Sequence, residues 1–174
     1  MPSSTHRESS RLLLTSSEST RSQPRISRPR ISITYEFVEP RHRSWFEEDV
    51  RAELLRFLEE RRMAWVVVDA PKVAAKNVPD TLVAVTSGLA YVRFHGRNAA
   101  TWNVRGGSAA ERFDYMYSED ELREWVEPLR ELSSGAEEAY AFFNNNNQTN
   151  GVAQAPAGAL LLRKLLEEEK IPTG

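Results

Sequence analysis

The stretch Tyr91-Val92-Arg93-Phe94-His95-Gly96-Arg97-Asn98 predicts a strand that ends in a polar loop. Side chains of a strand point alternately to its two faces, so the valine and the phenylalanine share one face while the first arginine and the histidine share the other. The glycine then allows a turn that presents a second arginine beside an asparagine. This combination is typical of a scaffold strand that leads into a ligand site.

The chain has the composition of one soluble globular domain. Its 174 residues are 40% hydrophobic and 28% charged, and its net charge of -2 gives no overall attraction to nucleic acid. The sequence has no cysteine, which excludes disulfides, thiolate catalysis and cysteine-bound metal centres and fits a reducing compartment. The apolar runs are shorter than the roughly 18 residues of a membrane helix. We therefore expect a cytoplasmic protein with no membrane partner.

Residues 1–34 differ in charge from the rest of the chain. They carry six arginines and two glutamates, a formal +4, so the remaining residues carry -6 of the total of -2. Serine and threonine dominate this segment, and its only apolar cluster is Leu12 to Leu14, which is too small to bury. We predict a disordered Ser/Arg-rich tail. An organelle transit peptide has a similar composition, and a misread upstream coding sequence would also produce it.

Residues 35–72 predict a strand, a helix and a second strand. Residues 35–39 predict a short strand, and Ser44 with Glu47 matches a capping box that predicts the start of a helix. The helix has an apolar stripe at helical spacing, formed by Val50, Leu54, Phe57 and Leu58. Trp65 to Val68 is rich in β-branched residues, which predicts a strand buried on both faces of a parallel sheet.

The same alternation continues after the strand quoted above. Ser118 and Glu121 match a second capping box, and the helix that follows is expected to bury five apolar residues, Leu122, Trp125, Val126, Leu129 and Leu132. Pro128 inside this helix predicts a kink or a break. Residues 140–143 predict a fourth strand and residues 160–166 a last helix. Four strands that alternate with helices predict a parallel α/β sheet.

A set of segments follows one another in a characteristic order. They are Glu39 to Phe46, Asp69 to Pro71, Thr86-Ser87 with Tyr91 to Asn98 and Trp102, Arg112 to Ser118, and Phe142 to Asn145. In this order they resemble the YecE-like family, domain of unknown function 72 (DUF72), over residues 35 to about 171. The resemblance implies a barrel of the (β/α)8 type whose biochemical activity is uncharacterised.

The chain is short for such a barrel, which needs about 250 residues. The Ser/Arg-rich tail stands where the family has a glycine- and tryptophan-bearing opening segment and its first strands. We therefore expect residues 35–171 to form the C-terminal part of a YecE-like domain, a partial TIM-type barrel with about four parallel strands and flanking helices. Its first and last strands would be open edges that favour self-association, rearrangement or aggregation. A truncated, inactive fragment is an alternative.

The barrel rule places a functional site at the carboxyl ends of the strands. There we predict His95 and Asp69 as catalytic residues, with Asp69 or Glu39 orienting a histidine. The predicted ligand-binding residues follow the strand ends and are cationic or amide side chains, namely Arg41, His42, Arg93, Arg97, Asn98, Asn144 and Asn145. Arginine matches the geometry of phosphate and carboxylate, so the expected ligand is an anionic small molecule or a phosphodiester.

These residues also have purely structural interpretations. Arg93 paired with Asp69 or Glu39 would be an internal ion pair, and His95 would then only hydrogen-bond a neighbouring strand end. Carboxylates and imidazoles suit divalent metals, but no spacing such as H-E-x-x-H occurs, so we predict no metal site and leave the cofactor unknown. The four tryptophans are expected in the core or in loop contacts.

Two functional hypotheses from different classes remain. The first is an enzyme that acts on a phosphorylated or otherwise anionic substrate, in which Arg93 and Arg97 hold the anion and His95 moves a proton. The second is a binding module without catalysis that recognises nucleic acid through the arginine cluster and the basic tail. The sequence indicates a site but does not identify a reaction.

Overall fold

The computed structural model describes residues 36–72, 81–102 and 109–174. The predicted tail at 1–34 and the first residue of the first predicted strand lie outside the described residues. Four parallel strands form one sheet in chain order. They are β1 (Phe37–Val38), β2 (Ala64–Asp69), β3 (Leu89–Phe94) and β4 (Glu138–Phe143). Helices flank this sheet, so the predicted α/β class with four parallel strands is confirmed.

The two faces of the sheet are covered differently. Val92 and Phe94 of β3 point to the face that packs against the helices, where they are 1% and 0% exposed. We call this the helix face. The register places Val68 opposite Arg93, and Arg93 opposite Phe142, on the other side, which we call the open face. Phe142 is 56% exposed there, so the open face is only partly covered by the described residues.

The first helix, α1, spans Glu48–Arg61 and begins later than predicted. Residues 43–46 instead form a short 3-10 helix that His42 caps. The His42 Nδ1 atom lies 2.8 Å from Ser44 Oγ and 3.3 Å from the Ser44 backbone nitrogen. Ser44 lies inside this 3-10 helix, and α1 starts after Glu47 with no side-chain cap, so the capping box predicted at Ser44 and Glu47 is wrong.

The apolar stripe predicted for α1 is buried only in part. Leu58 is 1% exposed and joins the main core, whereas Val50 and Phe57 are 37% and 43% exposed. Helical spacing identified the apolar side of the helix correctly. The sheet covers only one edge of this side, so the remainder faces outward.

The second predicted capping box is confirmed. Ser118 accepts the backbone N–H of Glu121, and the Glu121 carboxylate accepts the backbone N–H of Ser118, at the start of α3 (Glu119–Arg123). A new helix, α4, then begins and spans Val126–Gly135. Pro128 explains the break, because its ring clashes with the carbonyl four residues earlier and it has no N–H to donate. All five apolar residues predicted to be buried in this segment are at most 6% exposed.

The remaining elements are short except for the last helix. They are α2 (Ala109–Arg112), β5 (Gln148–Thr149), β6 (Val152–Ala153) and α5 (Gln154–Glu168). β5 and β6 form an antiparallel hairpin whose turn residues, Asn150 and Gly151, have positive φ angles of 51° and 78°. We did not predict this hairpin from the sequence, although Asn-Gly is a strong hairpin signal. Among the described residues, no helix is long and apolar enough to span a membrane.

The core lies between the helix face and the helices. The ring of Phe94 stacks on Phe143 at 4.5 Å and meets Trp125 edge-on at 5.1 Å between centroids. Fully burying one such side chain contributes about 1.5–3 kcal/mol. Gly158 lets α5 approach β4 closely, because a Cβ atom at this position would lie 2.7 Å from Cε1 of Phe143. This packing fixes the strand ends from which the site is built.

Candidate functional site

Glu39, which directly follows β1, is the centre of a charged cluster on the open face. Its Oε1 atom accepts a hydrogen bond from Arg41 Nε at 2.8 Å and lies 3.3 Å from His95 Nε2. Its Oε2 atom accepts from Arg93 Nη1 at 2.5 Å. The Glu39 side chain is 12% exposed and that of Arg93 27%. The ends of β1 and β3 therefore contribute one carboxylate and three nitrogen-bearing side chains to a single cluster.

A cavity of about 140 Å³ opens beside this cluster. We call it the Glu39 cavity. Its lining residues are Glu39, Arg41, Val68, His95, Trp102, Arg112 and Phe113. One part of the wall is aromatic and apolar, and another part carries two arginines. This volume is below the roughly 300–1,000 Å³ of drug-sized ligand pockets, so the cavity has room only for a very small molecule or for one group of a larger one.

His95 is held firmly at the wall of the Glu39 cavity. Its backbone N–H donates to the carbonyl of Asp69 at 2.9 Å, which continues the β2–β3 pairing by one residue. Its ring stacks on Phe113 at 5.2 Å and meets Trp102 at 6.2 Å between centroids. His95 is 3% exposed, and its Nδ1 atom has no hydrogen-bond partner within the described part of the chain.

The electrostatics of Glu39 determine how His95 carries its proton. Burial acts to raise the pKa of Glu39, but the hydrogen bond from His95 and the charges of His95, Arg41 and Arg93 outweigh burial and lower the pKa to about 2. Glu39 is therefore a carboxylate at neutral pH and can only accept hydrogen bonds. Nε2 of His95 must donate to it, and in the neutral imidazole Nδ1 is then the acceptor.

Asp69 belongs to a different cluster from His95. Its register partner is Phe94, so its side chain points to the helix face. There it accepts hydrogen bonds from Arg97 Nε at 3.1 Å to each oxygen, from Tyr117 Oη at 2.6 Å and from Trp125 Nε1 at 3.3 Å. The structure thus separates the two side chains that we predicted as catalytic, and a chemical role of Asp69 stays a prediction.

Arg97 is surrounded by acidic groups. It contacts Asp69 at 3.0 Å, Glu124 at 2.9 Å and Glu121 at 4.0 Å. Burial acts to lower the pKa of Arg97, but the hydrogen bonds and charges of Asp69 and Glu124 outweigh burial and raise it. Burial and the Asp69 charge also raise the pKa of Tyr117 well above its usual range. Arg97 is therefore paired with the acidic residues of the Asp69 cluster in the described structure.

The predicted amide residues lie near the strand ends but make structural contacts. Asn98 Nδ2 donates to the carbonyl of Asp114 at 3.0 Å, and Asn145 Nδ2 donates to the carbonyl of Phe113 at 3.2 Å. The backbone N–H of Asn144 donates to the Phe94 carbonyl at 2.9 Å. These contacts fix the segment that carries Phe113. His42 is exposed and caps the 3-10 helix, outside the Glu39 cavity.

Four residues that line the cavity were not predicted as site residues, namely Val68, Trp102, Arg112 and Phe113. Trp102 and Phe113 form the apolar part of the wall, and Arg112 adds a cation whose Nε atom has no hydrogen-bond partner among the described residues. Trp102, Arg112 and Phe113 all lie in the segment between β3 and α3, where periodicity gives no information. No group of three or more acidic or histidine residues within the described ranges is arranged to hold a metal ion.

The fold and the site define an α/β protein with four parallel strands and a charged cavity at the carboxyl ends of those strands. The chain belongs to the family described as protein of unknown function DUF72, whose sequence pattern matches residues 16–173. The resemblance noted from the sequence is therefore confirmed, and the match begins nineteen positions before the expected start at residue 35.

The chain is similar to several proteins of this family. It is 33% identical to the UPF0759 protein YunF of Bacillus subtilis (strain 168) over 113 residues. This matched region covers 63% of this chain and 40% of YunF. A DUF72 family protein from Thermotoga maritima MSB8, whose crystal structure has been solved, is 39% identical to this chain. The match has a TM-score of 0.63 and covers 77% of this chain and 47% of that chain.

A second solved relative is a DUF72 family protein from Enterococcus faecalis V583. It is 30% identical, with a TM-score of 0.66, and covers 75% of this chain and 46% of that chain. The chain therefore spans less than half the length of the relatives that it matches.

Proposed function

We propose that the Glu39 cavity binds a small anionic ligand and that His95 exchanges a proton with it. One observation carries this proposal. A buried imidazole, whose Nε2 is held by the Glu39 carboxylate and whose Nδ1 has no partner in the described residues, lies on a cavity wall that also carries Arg41 and Arg112. A cationic wall next to a group that accepts protons is the arrangement that acid–base chemistry on an anion requires.

The charge of the wall favours an anion over a neutral or cationic ligand. The cavity is lined by one carboxylate, Glu39, and by two arginines, Arg41 and Arg112. Arg93 does not line the cavity but is a third cation that pairs with Glu39. Arginine donates paired hydrogen bonds that fit a phosphate or a carboxylate. The aromatic rings of Trp102 and Phe113 restrict access of water, which strengthens such contacts. The expected ligand class is a small phosphorylated or carboxylated molecule.

The proton would move at Nδ1 of His95, which is buried, so the bound ligand would have to displace the side chain that covers this atom. A bond between a ligand atom and hydrogen breaks, the proton binds to Nδ1, and the electron pair stays on the ligand. The Glu39 carboxylate stabilises the imidazolium that results, because it faces Nε2 from the opposite side of the ring. Return of the proton to the product restores the neutral ring. The Glu39 contact also fixes the plane of the imidazole against rotation.

Calorimetric titration with inorganic phosphate and with small carboxylates tests the binding part of the proposal. Replacing Arg112 by glutamine is expected to weaken binding about tenfold or more, since a hydrogen bond to a charged group contributes about 1.5–3 kcal/mol. Arg130→Gln is the matched control, because Arg130 is an arginine of α4 that pairs with Glu127 and does not line the cavity. Equal affinities of wild type and Arg112→Gln would contradict the proposal.

The proton part is tested by repeating the titration in buffers of different ionisation enthalpy. A bound anion stabilises imidazolium, so wild type is expected to take up protons on binding near neutral pH. His95→Asn is expected to bind the anion without this uptake. Unchanged proton uptake in His95→Asn would show that another group carries the proton. Binding of oligonucleotides alone, with a steep salt dependence, would favour the nucleic-acid module instead.

A further inference from the structure

Residues 113–115 carry part of the wall of the Glu39 cavity but belong to no helix or strand. We call them the wall segment. Two amide side chains, each 2% exposed, hold its backbone. Asn145 Nδ2 donates to the carbonyl of Phe113, and Gln154 Oε1 accepts the backbone N–H of Tyr115 at 3.1 Å. Backbone groups outside regular structure need such partners, so the buried amides determine the path of the wall segment.

Gln154 is the first residue of α5, yet its amide forms hydrogen bonds to three residues outside this helix. Besides accepting from Tyr115, it donates from Nε2 to Asp114 Oδ1 at 2.6 Å and to Thr149 Oγ1 at 3.0 Å. A backbone N–H only donates and a carboxylate only accepts, so these partners fix which end of the amide faces each of them. A buried amide with this set of contacts is costly to replace.

The wall segment connects Gln154 to His95. Phe113 directly precedes Asp114, and its ring stacks on the His95 ring with 5.2 Å between centroids and 23° between planes. Gln154 does not itself line the cavity, whereas Phe113 does. The contact of Gln154 with Asp114 therefore reaches the cavity through the backbone of the neighbouring residue.

We propose that Gln154 is a positioning residue of the Glu39 cavity, which holds the wall segment so that the Phe113 ring covers one face of His95. The β5–β6 hairpin supports this amide, because Thr149 accepts from its side chain and the Asn147 carbonyl accepts its backbone N–H at 3.0 Å. The inference rests on the proposed function only where it predicts anion affinity. Its prediction for the His95 ring needs no ligand.

Proton NMR of the His95 imidazole tests the positioning. His95→Asn identifies the resonances, and shielding by the stacked ring is expected to place them upfield of their position in Phe113→Leu. Gln154→Glu loses both amide donors and brings a second carboxylate against Asp114. Its His95 resonances are therefore expected to move downfield, toward their position in Phe113→Leu. Gln148→Glu is the matched control, because it makes the same change at an exposed residue of the same hairpin, and it is expected to leave them in place.

A compensating substitution separates positioning from a general loss of stability. When Gln154→Glu is combined with Asp114→Asn, the introduced amide can donate to the introduced carboxylate, which still accepts the N–H of Tyr115. The His95 resonances are expected to return to their wild-type position. Thr149→Val removes only one contact, at an exposed residue, and is expected to move them less in the same direction. This variant decides the question if Gln154→Glu does not fold.

Calorimetric titration with inorganic phosphate tests the consequence for the site. Gln154→Glu is expected to bind phosphate several times more weakly than wild type, and the double variant is expected to recover the affinity. Unmoved His95 resonances in folded Gln154→Glu, no recovery in the double variant, or an equal movement in Gln148→Glu would each overturn the positioning role. If the resonances move as expected but wild type does not bind phosphate, the proposed function fails and the positioning role stands.

Discussion

Nε2 of His95 lies 3.3 Å from Oε1 of Glu39, although 56 residues separate the two in sequence. The contact exists because β1 and β3 both end at the same edge of a parallel sheet, with only β2 between them. Glu39 bridges that gap and also binds Arg41 and Arg93. One carboxylate thus pairs with Arg41 on the cavity wall and with Arg93 behind it, and it orients the imidazole of His95.

The first prediction concerns acid stability. The pKa of Glu39 falls from an ordinary 4.5 to about 2 in the folded protein. A lowered pKa stabilises the fold fully above pH 4.5, and this contribution is lost as the pH falls toward 2. Glu39→Gln lacks this titration, so the free energy of its unfolding is expected to fall less than that of wild type over this range. Urea unfolding at several pH values measures the difference.

At pH 7 the same variant is expected to be less stable by about 1–3 kcal/mol, since charged hydrogen bonds are lost. Glu60→Gln is the control, because Glu60 is exposed and lies 3.7 Å from Arg61 at the surface. Its effect is expected to stay within about 0.5 kcal/mol. Parallel acid unfolding curves for wild type and Glu39→Gln would show that this carboxylate is not paired in solution.

The second prediction concerns the Asp69 cluster. Asp69 is 1% exposed and accepts hydrogen bonds from Arg97, Tyr117 and Trp125. Asp69→Asn leaves the Arg97 charge without its main partner and is expected to lower the free energy of unfolding by about 3–5 kcal/mol. Chemical denaturation monitored by tryptophan fluorescence measures this loss.

The exposed pair of Glu119 and Arg123 provides the comparison for Asp69. Glu119→Gln removes an ion pair of 2.6 Å whose side chains are 48% and 45% exposed. Its effect is expected to be much smaller than that of Asp69→Asn, because solvent screens an exposed pair. If Asp69→Asn were as mild as Glu119→Gln, the cluster would not support the fold, and a chemical role of Asp69 would gain weight.

The third prediction compares two glycines with positive φ. Gly96 has a φ of 89°, and a Cβ atom there would lie 2.5 Å from Cβ of Tyr115. Gly151 has a φ of 78° with nothing within 4 Å of the same position. Gly151→Ala is expected to cost about 1–2 kcal/mol of backbone strain. Gly96→Ala is expected to cost about 1–3 kcal/mol more, because the new methyl group overlaps its neighbour. Equal losses in thermal or urea unfolding would contradict the observed packing.

The fourth prediction concerns alkaline titration. Burial, the hydrogen bond to Glu121 and the Glu121 charge raise the pKa of Tyr115 to about 12 from an ordinary 10. A raised pKa stabilises the fold below pH 10, and this contribution is lost as the pH rises through 12. The difference in tyrosinate absorbance between wild type and Tyr115→Phe is expected to show this late titration. Glu121→Gln is expected to shift the Tyr115 titration toward pH 10, and an unshifted curve would contradict the contact.

Sequence patterns predicted the elements whose local signals agree with their packing. β2 is buried along its whole length, as its β-branched run indicates. Ser118 and Glu121 cap α3 because both partners of the box are free to turn toward the backbone. Ser44 shows the same pattern but does not cap α1, because it lies inside the 3-10 helix at residues 43–46 and α1 begins at Glu48. The pattern therefore caps a helix only if the helix begins at that position, which the local sequence does not determine.

The sequence predicted in outline which polar residues lie near one another, because the carboxyl ends of parallel strands lie at one edge of the sheet. Their role as a functional site stays a prediction. Arg93 and His95 both contact Glu39, which is one of the two carboxylates that we considered as their partner from the sequence. The shared edge did not separate Asp69 from His95, since both follow strand ends and only the register assigns them to opposite faces. The rule about strand ends also did not predict where Arg112 and Phe113 lie, because the path of the chain between β3 and α3 depends on long-range contacts.

The sequence by itself determined the class of fold, the family and the set of polar residues that follow the strands. These properties depend on period, turn chemistry and the order of short segments, all of which are local. Only the tertiary structure decided which charged side chains meet, because a shift of one position along a strand moves a side chain to the other face of the sheet. That geometry paired Glu39 with His95 and Asp69 with Arg97, and it opened a cavity beside Glu39 and His95.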